Sequence, residues 1–282
     1  MKYASVIGDS IIRFYADYVG IKDRNELTTH LKRVQALLNE NNQTYRCIDE
    51  FKFAYSRMCD RFFYPGLIEI GKTSSPLLID LGCCAGVDLR KLMLDGYPVK
   101  SLVGVDLSAR YIECGYELCR DKDKLPIRFL AGDIFDESFL SLHGQNNNNL
   151  NIYRHKASVV HAGSLIHLFH STQRISQFLQ RVCCMLLKGG LFVGAHVASN
   201  RTTSVYRPSR GHTKQYIGID TFRSLLESHD FSNIEIQTSP RLSLEEEEEI
   251  DDISIFWVSF SAVYNPPSLK PLSPTVHTTI ED

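Results

Sequence analysis

The stretch LLIDLGCCAGVDLRKLM, residues 77–93, decides the fold of this chain. Its first residues are apolar and predict a buried strand with Asp80 at the carboxyl end. Gly82 and Gly86 flank a predicted tight turn, and Val87 to Leu94 predict a helix with one apolar face. A strand, an acidic residue, a glycine turn and a helix in this order are typical of an open α/β sheet that binds a ligand at the carboxyl edge of its strands.

The spacing of the glycines narrows the class of ligand. The turn lacks the G-x-G-x-x-G fingerprint of dinucleotide sites and the Gly-Lys-Ser/Thr ending of a phosphate-binding loop. Its pattern D-L-G-C-C-A-G resembles the first motif of class I methyltransferases that use S-adenosylmethionine, with Cys84 where the usual motif has a middle glycine. The alternative interpretation is a generic strand-to-helix turn.

Two further acidic residues follow at predicted strand ends. The segment SLVGVD ends at Asp106, 24 residues after Gly82, where a carboxylate can accept hydrogen bonds from two ribose hydroxyls. Ser108 suits the N-cap of the next helix better than Asp106 does. Asp133, at the end of IRFLAGD, resembles the acceptor for the adenine amino group in methyltransferases. The resemblance implies S-adenosylmethionine as cofactor, bound by Asp80, Gly82, Cys83, Gly86, Asp106, Leu107, Asp133, Ile134 and His161.

The order of the remaining elements predicts a Rossmann-like α/β sheet of seven strands, mostly parallel, that closes with a C-terminal antiparallel hairpin. After the first three strands we expect strands at ASVVHAG and LFVGAHV, a turn at 188–190 before the latter, and a hairpin from NIEIQTS and ISIFWVSFSAVY. Helices are predicted over residues 9–20, 27–40, 172–187 and 220–229. The expected organisation is an N-terminal helical cap or lid over 1–70, the cofactor-binding core over 71–264 and a disordered tail over 265–282.

Composition restricts the function classes. A chain of 282 residues with 43% hydrophobic content can bury one sizeable core. A net charge of −2 without a dense basic run argues against nucleic acid as the main partner, and no stretch predicts a membrane span or a signal-peptide core. The eight cysteines show neither zinc spacing nor a secreted disulfide pattern. We therefore expect no metal and reduced thiols in a cytoplasmic protein.

Longer stretches of the sequence make the resemblance to methyltransferases more specific. LIDLGCCAGVDLRKLMLDGYPVKSLVGVDL, VVHAGSLIHLFHSTQ and the lid-like IIRFYADYVGI resemble a fungal group of small methyltransferases from meroterpenoid and polyketide pathways. Arg46 and Val87 stand where that group usually has a proline and a glutamine. The similarity covers about residues 11–200. It implies an O-methyltransferase of secondary metabolism that converts a carboxylate of a small terpenoid or polyketide substrate into its methyl ester, and a possible homodimer.

The expected chemistry assigns different roles to the histidines. Methyl transfer from a sulfonium is an in-line displacement, which requires alignment and exclusion of water. A carboxylate, with a pKa near 4, is already ionised, whereas a phenol, near 10, benefits from a general base. His167 in LIHLF is therefore the candidate catalytic or substrate residue, with a pocket wall as the alternative. His161 is assigned to cofactor contact or core packing, and His196 to structure.

Aromatic residues of the N-terminal helix are candidates for a substrate lid: Phe14, Tyr15 and Tyr18. Core packing explains Tyr15 and Tyr18 equally well, because residues three apart share a helical face. Arg90 and Lys91 are predicted as solvated helix residues. Two alternative functions stay open, namely a methyltransferase with a phenol, nitrogen or carbon acceptor, and a cofactor-binding protein without transferase activity.

Overall fold

A computed structural model of the chain describes residues 8–40, 45–74, 76–144, 148–207, 211–241 and 252–267, so most of the expected tail lies outside it. Its centre is a seven-stranded sheet whose strands are β1 Leu78–Leu81, β2 Leu102–Asp106, β3 Arg128–Ala131, β4 Ala157–Gly163, β5 Leu186–Ser199, β8 Phe231–Pro240 and β9 Ile255–Tyr264. They stand side by side in the order β3-β2-β1-β4-β5-β9-β8.

The first five strands pair in parallel, and β9 lies antiparallel between β5 and β8. Every residue of β1 and β2 is buried, because helices cover both faces of the sheet. This explains why these strands are continuous apolar runs rather than alternating ones. The predicted α/β sheet with a C-terminal antiparallel hairpin is confirmed.

Eight α-helices of the described residues surround the sheet. They are α1 Asp9–Phe14, α2 Arg24–Asn39, α3 Arg46–Asp49, α4 Tyr64–Ile70, α5 Val87–Leu94, α6 Ala109–Cys119, α7 Thr172–Met185 and α8 Ile219–Glu227. Helix α5 follows the glycine turn, and α6 follows β2. Since both helices begin at the carboxyl ends of their preceding strands, they bring the turn and Asp106 to one edge of the sheet.

The N-terminal helix differs from the single α-helix predicted over 9–20. It is α-helical only to Phe14 and continues as a π-helix over Tyr15–Val19, which ends at Gly20 with φ +83°. The N-terminal helices share a hydrophobic cluster with α6 and with Ala85 and Val87 of the glycine-turn region. This segment is therefore packed directly against the predicted cofactor site.

Two features of the second half of the chain differ from the prediction. Strand β5 begins at Leu186 and runs through the predicted turn at 188–190, where Gly189 has φ +82° and the pairing with β4 shifts register. A separate two-stranded sheet of β6 Thr203–Arg207 and β7 His212–Tyr216 follows β5. It packs through Val205 and Tyr216 against the end of the main sheet, together with Trp257.

Candidate active site

The glycine turn lies at the carboxyl end of β1, in the conformation that its sequence requires. Gly82 has φ +72° and Gly86 has φ +65°, values that favour glycine because a side chain would be strained there. The amides of Gly82 and Cys83 both donate to the Val105 carbonyl, which ties the turn to β2. A Cβ on Gly86 would also lie 2.7 Å from the Phe129 ring. Both glycines are thus needed for the shape of the turn.

Cys84 replaces the middle glycine of the usual motif in a conformation that glycine adopts more easily. Its φ is +50°, in the left-handed region, which costs a non-glycine residue about 1–2 kcal/mol. Its amide donates to Asp106 Oδ2 at 2.8 Å. The chain therefore keeps the backbone shape of the motif despite the substitution.

Asp106 stands at the end of β2 beside this turn and is only 8% exposed. One carboxylate oxygen accepts from the Cys84 amide and the other from the Ser108 amide, at 2.8 and 2.9 Å. Burial raises the pKa of the carboxyl, and these two hydrogen bonds oppose that rise. Each oxygen keeps a second lone pair, so the group can still accept two hydroxyl hydrogen bonds.

Asp80 and His161 lie below the turn on adjacent strands, where they are paired in register. His161 Nδ1 is 2.6 Å from Asp80 Oδ1, and both side chains are buried. Burial raises the pKa of the Asp80 carboxyl, while the nearby imidazole lowers it. The predicted site residues Asp80, Gly82, Cys83, Gly86 and His161 line one cleft.

A second cleft, of about 480 Å³, lies at the ends of β2 and β3. Leu107, which is 72% exposed, and Asp133 line it, together with the segment after β4. Asp133 is exposed, and its Oδ1 accepts from the Phe135 amide at 2.9 Å. Ile134 is half-buried and packs against the main core. Asp106 itself lines neither cleft, but it binds the amide of Cys84 in the first cleft and directly precedes Leu107 in the second. The predicted ribose and adenine residues therefore lie at neighbouring strand ends.

The loop after α3 closes the first cleft and supplies two cations that the sequence analysis missed. Lys52 and Arg57 both line this cleft beside the glycine turn. Lys52 pairs with Glu50 at 2.5 Å. Asp88 Oδ1 fixes the loop, because it accepts from the Ser56 hydroxyl and from the amides of residues 57 and 58 at 2.6 to 3.0 Å. The first turn of α5 thus positions Arg57 at the cleft.

The prediction that Arg90 is a solvated helix residue is wrong. Arg90 is 1% exposed and forms a bidentate ion pair with Asp121, at 2.7 and 2.9 Å. Its remaining nitrogen donates to the carbonyls of Ala85 and Gly86 at 2.7 and 3.2 Å. Lys91 is half-exposed and pairs with Asp95 at 2.5 Å. Helix periodicity does not show the Arg90 contact, because its partner lies 31 residues further along the chain.

His167 lies in a short 3₁₀ turn, Ile166–Leu168, after β4. The Val197 amide is 3.5 Å from His167 Nδ1, and Trp257 packs edge-on against the ring with 6.0 Å between the ring centroids. Burial lowers the pKa of His167 well below its usual range. The positive charges of Lys214, Arg57 and Arg241 lower it further. His167 is therefore uncharged at neutral pH and only a weak proton acceptor.

The lid candidates lie in the interior or at its margin rather than along either cleft. Tyr15 is fully buried, and its hydroxyl donates to the Ala54 carbonyl at 2.9 Å. Tyr18 is half-buried and donates to Asp121 Oδ2 at 2.8 Å. Phe14 packs against both tyrosine rings. For Tyr15 the structure thus shows core packing, one of the two roles considered for it.

The arrangement fits S-adenosylmethionine. A glycine turn, a buried carboxylate with free lone pairs and an open cleft stand at three adjacent strand ends. The sheet order and the antiparallel seventh strand complete the architecture. Together they define a class I S-adenosylmethionine-dependent methyltransferase.

Comparison with known proteins agrees with this class. A family model described as the mRNA (guanine-N(7))-methyltransferase domain matches residues 66–251, about two thirds of the chain, and the chain belongs to this family. Members of the class are enzymes that use S-adenosylmethionine, which confirms the predicted cofactor. Among the described residues, no helix combines the length and apolar character needed to cross a bilayer.

Three fungal relatives carry informative names. O-methyltransferase phiE from Fungal sp. (strain ATCC 74256) is 33% identical over 168 residues, which cover 59% of this chain and 53% of that protein. Methyltransferase ausD from Aspergillus calidoustus is 28% identical over 215 residues, covering 74% and 71%. Asnovolin E/Chermesin D methyltransferase nvfJ from Aspergillus novofumigatus is 26% identical over 213 residues, covering 74% and 70%. The chain thus spans about half the length of phiE and a larger share of the other two.

Solved structures share the fold at low sequence identity. Phosphoethanolamine N-methyltransferase 2 from Haemonchus contortus, in complex with S-adenosyl-L-methionine, has a TM-score of 0.51 at 14% identity and covers 83% of this chain and 60% of that one. A SAM-dependent methyltransferase from Archaeoglobus fulgidus has a TM-score of 0.50 at 16% identity and covers 78% and 100%. These structural similarities also support the predicted fold class.

Proposed function

We propose that the chain methylates a carboxylate oxygen of a small molecule of fungal secondary metabolism, giving a methyl ester. When bound, S-adenosylmethionine supplies a methyl group on a sulfonium sulfur, and its transfer to a carboxylate gives the ester and S-adenosylhomocysteine without release of a proton. The names of the fungal relatives support a small-molecule acceptor. The choice of a carboxylate rests on the surroundings of His167.

The region around His167 suits an anion that needs no base. The side chains that influence this imidazole most are positively charged or neutral, and its own pKa is low because partial burial disfavours its charged form. A weak proton acceptor is poorly suited to a phenol, whose pKa lies near 10. A carboxylate arrives ionised, so no side chain has to remove a proton before the transfer. We therefore assign His167 to contact and alignment of the acceptor rather than to proton removal.

The cofactor would be held by residues of the two clefts and by Asp106 between them. Asp106 would accept the ribose hydroxyls, and Asp133 the adenine amino group between Leu107 and Ile134. The glycine turn leaves room for the methionine half against the backbone. Arg57 would pair with its carboxylate, because it is the cation that the Asp88 contacts fix beside Gly82. This assignment leaves Asp80 and His161 as the buried floor of the site.

A nitrogen acceptor is the second candidate, since the matched family model is described by methylation of guanine N7. One experiment separates the two. The purified protein is incubated with methyl-labelled S-adenosylmethionine and, in parallel, with an acidic organic extract of the producing organism and with an RNA oligonucleotide that carries an unmethylated guanosine cap. Label that mild alkali releases as methanol from the extract products supports the ester. Alkali-stable label in the RNA overturns it, and Asp106→Ala protein serves as the inactive control.

A further inference from the structure

A chain of polar contacts connects the N-terminal π-helix with the glycine turn. The Tyr18 hydroxyl donates to Asp121 Oδ2 at 2.8 Å, and the same oxygen accepts from Arg90 Nε at 2.7 Å. Arg90 Nη2 donates to the other oxygen of Asp121 at 2.9 Å. Tyr18 therefore supports one arm of a bidentate ion pair that is otherwise enclosed by protein.

The far end of this chain is the backbone of the turn itself. Arg90 Nη1 donates to the carbonyls of Ala85 and Gly86. A Cβ on Gly86 would lie 2.9 Å from this nitrogen, so the guanidinium fits closely against the turn. The rings of Tyr116 and Phe129 contact each other, and their centroids lie 5.8 and 5.6 Å from the Arg90 guanidinium. The position of Arg90 thus sets the position of the last two residues of the turn.

The same π-helix also contacts the loop that lines the first cleft together with the glycine turn. Tyr15, three residues before Tyr18, donates its hydroxyl to the Ala54 carbonyl at 2.9 Å. Ala54 belongs to the loop that carries Lys52 and Arg57 into the cleft. Two tyrosines of one five-residue π-helix therefore contact the supports of both cleft walls, and π-helices occur frequently at functional sites.

Stability alone does not account for a buried ion pair at this place. Arg90 and Asp121 are 1% and 5% exposed, and such pairs are often replaceable by apolar residues without loss of stability. Their distinctive effect is directional, since a guanidinium fixes the orientation of the carbonyls that it contacts. The orientation of these carbonyls determines the shape of the turn that faces the cofactor.

We propose that Tyr18 is a positioning residue for the cofactor, acting through Asp121 and Arg90 on the glycine turn. The proposal rests on the use of S-adenosylmethionine by this family. The N-terminal helix thereby contributes to cofactor affinity without touching the cofactor. The acceptor-side chemistry does not depend on this contact.

The test compares two tyrosines that make the same kind of bond. Tyr18→Phe removes the hydroxyl that donates to Asp121. Tyr64→Phe removes a hydroxyl that donates to Asp95 Oδ2 at 2.7 Å, at the opposite end of α5 from the turn. Calorimetric binding of S-adenosylmethionine, steady-state kinetics and melting temperature are measured for both variants and for the parent protein. We expect Tyr18→Phe to raise the Kd and KM for the cofactor about five- to tenfold with kcat within twofold, and Tyr64→Phe to leave both constants unchanged.

A double variant tests whether the effect of Tyr18 on cofactor binding passes through Arg90. If Tyr18 acts through Arg90, adding Tyr18→Phe to Arg90→Lys weakens cofactor binding by less than it does in the parent protein. Equal effects of Tyr18→Phe and Tyr64→Phe on cofactor affinity would overturn the proposal and leave a purely structural role. A loss of kcat with unchanged Kd would overturn it in favour of a lid over the acceptor. Failure of the parent protein to bind S-adenosylmethionine would instead refute the proposed function, and the positioning role with it.

Discussion

Asp80 and His161 form a buried polar pair beneath the glycine turn, with 2.6 Å between Asp80 Oδ1 and His161 Nδ1. They occupy paired positions on β1 and β4, and each side chain is 3% exposed. The pair joins two central strands near the carboxyl edge of the sheet. Its geometry leaves the Asp80 carboxylate dependent on His161 for a partner.

The first prediction follows from that dependence. His161→Ala should lower the free energy of unfolding by about 3 kcal/mol, because it leaves a buried carboxylate without its partner. Adding Asp80→Asn should recover part of the loss, since the remaining buried group is then uncharged. Urea denaturation at pH 7.5 measures both variants. Equal stability of the single and double variants would show that the unpaired Asp80 carboxylate is not the cause of the loss.

The ribose assignment gives the second prediction. Asp106→Ala should weaken S-adenosylmethionine binding at least tenfold, because a hydrogen bond to a charged group contributes roughly 1.5–3 kcal/mol. Asp106→Asn retains an oxygen for the backbone amides and tests the charge separately. Asp136→Ala is a matched control, since Asp136 also accepts a local amide hydrogen bond, at 2.8 Å from Ser138, but is exposed away from the clefts. Unchanged affinity in folded Asp106→Ala protein, measured by calorimetry, would remove the assignment.

Arg57 provides the third prediction. Arg57→Ala should raise the KM for S-adenosylmethionine about tenfold or more, because it removes the cation proposed to pair with the methionine carboxylate. Arg61→Ala, on the same loop but outside the lining of the cleft, should leave this KM within twofold. Initial rates at saturating acceptor give the comparison. A similar KM for both variants would mean that a group other than Arg57 pairs with the methionine carboxylate.

The site residues that could be predicted from the sequence are those that belong to a short pattern of consecutive residues. The strand ends, the glycine turn and the helix starts each depend on a few consecutive residues, so Asp80, Asp106 and Asp133 could be placed at one edge of the sheet from the sequence alone. The antiparallel hairpin could be predicted because its two runs, NIEIQTS and ISIFWVSFSAVY, carry β-branched and aromatic residues typical of strands.

The missed features depend on contacts between distant segments. Arg57 reaches the cleft because Asp88, 31 residues later, binds the amides of its loop. Arg90 is buried because it is paired with Asp121. The residues next to Arg90 in the sequence give no sign of this ion pair. The π-helix at Tyr15–Val19 has the same residue pattern as an α-helix, and only its tertiary contacts distinguish it. The β6–β7 hairpin was missed because its short strands have no continuous apolar run.

The fourth prediction concerns His196 and acid stability. His196 is fully buried among Phe222 and Phe260, and burial lowers its pKa to about 4. The unfolded chain, with a pKa near 6.5, therefore takes up a proton that the folded protein excludes as the pH falls. The contribution of His196 to the free energy of unfolding is therefore fully present above pH 6.5 and is lost below it. This loss amounts to about 2 kcal/mol between pH 7 and pH 5.

Replacement of the imidazole tests this linkage. His196→Phe should flatten the dependence of the unfolding free energy on pH across that window, whatever its effect at pH 7. His170→Gln, at an exposed position, is the control and should retain the slope of the parent protein. Urea denaturation at half-unit steps of pH supplies the data. An unaltered slope in His196→Phe would show that other groups cause the acid sensitivity.

The last prediction distinguishes ester from ether formation. If the acceptor is a carboxylate, it is ionised throughout the neutral range and no side chain has to remove a proton. His167→Ala should then reduce kcat only a few-fold, through lost alignment and lost packing against Trp257. The rate should stay nearly flat between about pH 6 and 9, because the pKa of the acceptor lies below that range and the pKa of His167 is lowered out of it. A phenol acceptor would give a rate that rises with pH and, if His167 were the base, a loss of about 10²–10⁴-fold on its removal. A product that survives mild alkali, together with a severe His167→Ala defect, would exclude the carboxylate and establish the phenol in its place.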